Sequence, residues 1–122
     1  MEVVQVAKQI EKIIAAMAKP RQQLEERGIK KAQAIADYDK AVAVMQLRLG
    51  AGRTEGLELD GEPVPKKLAA TLIPGIAKGL CWQERLELEL ATNAYKSCVT
   101  NLSTLQAQLN GYQSIYRHMD TT

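Results

Sequence analysis

Apolar side chains return every three or four residues over most of this chain. Val3, Val6, Ile10, Ile13 and Met17 trace one stripe, and Ile35, Tyr38, Val42, Met45 and Leu49 trace a second. A third runs from Leu88 and Ala91 through Tyr95, Cys98, Leu102, Leu105, Leu109, Tyr112 and Tyr116 to Met119. Such alternation keeps apolar positions on one side of a helix. It predicts helices over about 2–19, 20–49 and 80–119, the last with a stripe about 47 Å long.

The first two stripes are out of step. Extending the first by sevens reaches Leu24 and Lys31, so the second begins four residues late, a stutter that changes local winding. It coincides with Pro20, which lacks an N–H and disfavours a helical Lys19. Gly28 weakens the helix again. Residues 20–34 therefore read as the place where the first helix bends or changes partner.

Leu49-Gly50-Ala51-Gly52 is a stop signal that opens a Gly- and Pro-rich connector, 50–79. Within it Asp60-Gly61 suits a type I′ turn and predicts a small β-hairpin between Leu57 and Val64. A helical turn is expected in 66–72 or 73–78. Two long helices joined by a compact connector pack side by side in opposite directions. The reading is an all-α fold in one domain, 1–122: a long antiparallel helical hairpin whose connector carries the β-hairpin.

Ser97–Tyr116 stands apart. It has no charged residue, although charged residues make up 25% of the chain. A solvent-facing helix normally shows Lys and Glu on its outer side. Here Asn, Gln, Ser and Thr take those places, and Gly111 lies inside, where glycine often marks a close backbone neighbour. Leu86, Leu90 and Ile115 fall off the main stripe. This surplus predicts a homodimer or larger assembly, with the late half of the last helix in the interface. A neutral but exposed polar face is the alternative.

Net charge narrows the partners. At +2, with both signs interleaved, the chain offers no basic stripe for a nucleic-acid polymer; Lys30-Lys31 and Lys66-Lys67 are isolated pairs. No run reaches membrane-spanning length, and MEVVQVAKQIEK lacks a signal-peptide core, so a cytosolic protein is expected. Cys81 and Cys98, about 25 Å apart if on one helix, read as reduced thiols. His118 is the lone histidine, and Glu84, Glu87 and Glu89 read as solvated charge. Without nucleotide-loop or zinc spacing, the expectation is no enzyme, no metal and no cofactor.

One constellation fits a ligand. Trp82, the only tryptophan, opens the last helix beside the connector. Asn93 follows three turns later on the same helix side. Arg48 and Arg53 flank the end of the second helix, Lys78 precedes Trp82, and Arg117 closes the charge-free stretch. A nucleotide needs an aromatic plane for its base, polar edges for ribose and cations for phosphate. The competing reading has Trp82 plugging the end of the helical hairpin and the arginines solvated.

From the connector onward, about half the chain resembles a family of small phage-encoded helical proteins. The resemblance rests on Ala77-Lys78-Gly79 as a turn leading to aromatic Trp82, on Tyr95-Lys96-Ser97, and on Leu109 to Ile115 with Arg117 just after. The family is the first type of phage Thoeris anti-defence protein. Such proteins are sponges that bind cyclic ADP-ribose-type signals made by bacterial TIR-domain enzymes. The resemblance implies a helical homodimer or higher oligomer, such as a hexamer, in the cytoplasm of the infected bacterial host. It implies an intact nucleotide held near subunit interfaces, and in some relatives cyclic oligonucleotides at a separate site. It places Trp82 as the base-stacking aromatic, where relatives commonly have Phe, Asn93 as a polar contact and Arg117 on phosphate. Arg53, Lys78 and Thr71 are added from their positions around the connector. Residues 1–49 match none of these motifs. Two readings stand against sequestration: a structural coiled coil, such as a phage assembly factor or adaptor without a small-molecule ligand, and an enzyme that hydrolyses the signal.

Overall fold

The computed structural model describes residues 2–121. Its elements in chain order are helix α1 (Val3–Ala16), helix α2 (Ala18–Gly50), strands β1 (Glu58–Leu59) and β2 (Glu62–Pro63), helix α3 (Ile73–Leu80) and helix α4 (Trp82–Thr121). The all-α class, with a hairpin in the connector, is the one the apolar pattern predicts. The chain divides into two compact units. A terminal unit joins the segment up to Ile29 with that from Asn93, and a middle unit spans Lys30–Thr92.

In the terminal unit, α1 and the start of α2 pack on the later part of α4 in the opposite direction. Ile13 and Met17 bury against Leu109, with Ile10, Leu102, Leu105 and Tyr112 closing over them. Cys98 donates its Sγ–H to the Pro20 carbonyl at 3.1 Å, and Arg27 donates Nη1–H to the Ala94 carbonyl at 3.0 Å. The first helix is interrupted at Met17, ahead of the expected boundary between Lys19 and Pro20. Pro20 is the third residue of α2, in a first turn where no intrahelical donor is lost. The Met17 N–H still reaches Ile13 O and the Arg21 N–H still reaches Met17 O, both at 3.1 Å.

α2 itself runs unbroken from Ala18 to Gly50, and the change of partner expected within 20–34 is found there: residues up to Ile29 belong to the terminal unit and those from Lys30 to the middle unit. Gly28 sits inside α2, facing Tyr95. A Cβ there would lie 3.5 Å from Cε2 of Tyr95, an ordinary contact. Gly28→Ala should therefore raise the unfolding free energy by about 1 kcal/mol, the helix-propensity difference. Urea denaturation measures it; a loss of stability would mean that Tyr95 has no room to accept the methyl.

In the middle unit, Val42, Leu49, Val64, Ala77 and Cys81 form the buried core. The hairpin pairs Glu58 with Pro63 and Leu59 with Glu62. Asp60 and Gly61 both have positive φ, 53° and 79°, the type I′ geometry expected of Asp-Gly. Leu59 lies over Gly79 of α3, where a Cβ would come within 3.1 Å of its Cδ1. Gly79 thus lets the hairpin seat on α3. The short helix is Ile73–Leu80, the later of the two expected stretches, and Ala77-Lys78-Gly79 lies inside it rather than forming a turn. The chain turns one step later, at Cys81.

Candidate functional site

Trp82 is the first residue of α4 and is 59% exposed. The plug reading is corrected by this: the middle-unit core is closed by Leu49, Val64, Ala77 and Cys81, leaving the indole outside. Lys78 stands in the last turn of α3, four residues before Trp82, and is exposed. Thr71 is exposed in the turn before α3, and Arg53 is exposed in the loop after α2. Arg48 has a structural task. Its Nε–H and Nη2–H donate to the carbonyls of Arg53 and Glu55, at 2.8 and 2.9 Å. It therefore pins the loop that carries Arg53.

Two concavities open on this unit. One, of about 430 Å³, lies between α2 and the start of α4 and exposes Asp37, Lys40 and Glu84 around an apolar floor including Met45 and Cys81. The other, of about 470 Å³, brings Lys66 and Lys67 beside Gly52 and Ile73. Both fall within the size range of small-molecule sites. Trp82, Lys78, Thr71 and Arg53 line neither. Burial, together with the nearby Glu84 carboxylate, pushes the Cys81 thiol up from its ordinary value of 9.0. A raised thiol stays protonated at neutral pH and makes a poor nucleophile.

Asn93 and Arg117 belong to the terminal unit. Asn93 is exposed on α4. Arg117 lines a cavity of about 380 Å³ together with Ile10, Gln113 and Tyr116. Its Nε–H rests on its own helix, 3.4 Å from the Gln113 carbonyl. Of the six candidates, Arg117 alone lines one of these cavities. Tyr116 and Gln113 beside it were readable in sequence only as stripe and filler. Periodicity gave Tyr116 a core position, yet 38% of it stays exposed.

Trp82 belongs to the middle unit and Arg117 to the terminal unit. Among the described residues no group of His, Cys, Asp and Glu is placed to hold a metal ion, and no helix is long and apolar enough to cross a membrane. No family model matches the chain, and no curated protein or solved structure matches it.

Proposed function

We propose that this protein binds a cyclic ADP-ribose-type nucleotide and sequesters it intact, as an anti-defence sponge in the cytoplasm of a phage-infected bacterium. The observation that carries the reading is the outward indole of Trp82 at the head of α4. A large aromatic ring left in water is costly unless something stacks on it. The flanking Lys78 and the exposed Arg53 supply positive charge on the same unit. Sequestration demands tight binding and no chemistry, and a preformed surface loses little entropy when the ligand arrives.

The test is a thermal-shift titration with cyclic ADP-ribose and its glyco-cyclic isomer, followed by heating of the loaded protein. At a hundredfold over the dissociation constant, the ligand should add about 2.7 kcal/mol to stability. Heat should then release unchanged nucleotide; a new product would instead mean hydrolysis. Trp82→Ala should keep its helical circular dichroism and weaken binding by about 10–100-fold, the worth of one stacked base. The absence of any shift with either isomer would overturn the reading. The exposed Leu86 and Leu90 favour the second reading, an assembly or adaptor coiled coil, which expects no shift at all.

A further inference from the structure

The cavity of about 430 Å³ between α2 and the start of α4 is lined entirely by the middle unit, and none of the nucleotide candidates reaches it. Asp37, Ala41 and Met45 stand four residues apart, so one side of α2 builds the wall and part of the floor. Cys81 completes the floor, and Glu84, one turn into α4, closes the opposite rim. Apolar and sulfur-bearing groups therefore lie deep, and charged groups lie at the edge.

Neither rim carboxylate is paired with a cation among the described residues. Asp37 accepts the Gln33 Nε2–H on Oδ1 at 2.8 Å, a neutral donor that orients the group. Glu84 is half-buried. Arg85 beside it is engaged elsewhere: its guanidinium bridges Glu89 at 2.8 Å and lies over the Tyr38 ring, 5.6 Å from the centroid. Lys40 also lines the rim but forms no ion pair with either carboxylate. It is exposed, and a lysine there carries its ammonium into water on a flexible stem.

The floor supplies a second observation. Cys98 gives its S–H to a carbonyl. Cys81, 2% exposed and lining the cavity, gives its own to no group among the described residues. Burial, and after it the Glu84 charge, hold this thiol protonated, so the Glu84 carboxylate acts on the cavity floor. The sulfurs of Cys81 and Met45 are weak acceptors. Apart from Lys40 and the thiol, the side chains offer a ligand acceptors and apolar surface.

A molecule that fits must bring positive charge and N–H donors to the rim and apolar surface to the floor. An anion would meet two carboxylates. A neutral apolar molecule would strip water from both carboxylates and leave them unpaired. The geometry points to a binding site for a small organic ammonium ion, a primary or secondary amine on a compact apolar body. Its nitrogen sits at the rim that carries Asp37 and Glu84, and its body rests on Ala41 and Met45. Charge-assisted hydrogen bonds to carboxylate are about twice as strong as neutral ones, which favours the amine over an alcohol of the same shape.

Phenethylammonium is the probe, with phenethyl alcohol and hydrocinnamate as the neutral and anionic controls of similar shape. In amide NMR spectra of the full chain, the amine should shift the signals of Ala41, Met45, Cys81 and Glu84 in a saturable way. Binding should weaken about tenfold or more for the alcohol and in Glu84→Gln, the loss of one hydrogen bond between charged groups. It should also weaken as salt is added. Hydrocinnamate should not bind. Ala41→Phe fills the floor and should abolish binding while helical circular dichroism is kept. No saturable shift with the amine, equal affinity for amine and alcohol, or unchanged affinity in Glu84→Gln would each overturn the assignment.

Discussion

Replacing Leu49 by Ala should lower the unfolding free energy by about 2–5 kcal/mol, the range for deleting a fully buried leucine side chain. Leu49 is 2% exposed in the last turn of α2. It meets Val42 of its own helix, Val64 just beyond the hairpin, and Ala77 and Cys81 at the α3 end. The site has little freedom to collapse into the space left. Ala77 and Cys81 are small, and the loop after α2 is tied by the two Arg48 hydrogen bonds. Thermal unfolding followed by circular dichroism should show a fall in Tm of roughly 10 °C or more. A change below about 0.5 kcal/mol, typical of a surface site, would mean that Leu49 does not hold this core together.

The elements that a short stretch of sequence specifies alone were legible. Asp60-Gly61 dictated a I′ turn, and the hairpin formed there. The stripe at Val6, Ile13 and Met17 lies in the terminal-unit interior. Pro20 and Gly28 mark the stretch where the helix changes partner, from the terminal unit to the middle unit after Ile29, although α2 itself is unbroken. Pro20 lies where no hydrogen bond is lost, and Gly28 faces Tyr95, 67 residues later, with space left for a methyl group. Neither fact is local. Ile35, given a core position by its spacing, is 40% exposed, since a spacing pattern says which side a residue shares and not how far its neighbour extends.

The candidate site was legible by residue type and not by arrangement. Trp82 at the head of α4 was readable, but its outward ring was not, because sequence composition favours a buried tryptophan. Arg48 and Arg53 looked alike in sequence. The fold separates them by giving Arg48 two carbonyls to hold. Arg117 could be named but not placed in the cavity with Ile10, which depends on how α1 lies against α4. The charge-free Ser97–Tyr116 stretch was legible as helix with one apolar stripe. Within one chain only its Cys98–Leu109 stripe is buried, and Thr104, Gln108 and Ile115 stay exposed.

Leu109→Ala should cost about 2–5 kcal/mol in turn, through the terminal-unit core. Leu109 is 8% exposed and buries against Ile13 and Met17. Its combination with Leu49→Ala is the more informative variant. The two leucines belong to separate buried clusters that share no residue. Truncations without a shared partner add to within about 0.5 kcal/mol. The double variant should therefore lose the sum of the two single losses, about 4–10 kcal/mol. That is comparable to the whole stability of an ordinary domain, about 5–15 kcal/mol, so the comparison needs a stabilising co-solvent or low temperature. Urea titration of all four proteins, read by circular dichroism and by Trp82 fluorescence, supplies the cycle. The fluorescence reports the middle unit, where Trp82 resides, so Leu49→Ala should shift that signal first. A coupling above about 1 kcal/mol would show that α2 and α4 transmit packing from one cluster to the other, and the two cores would then have to be treated as one.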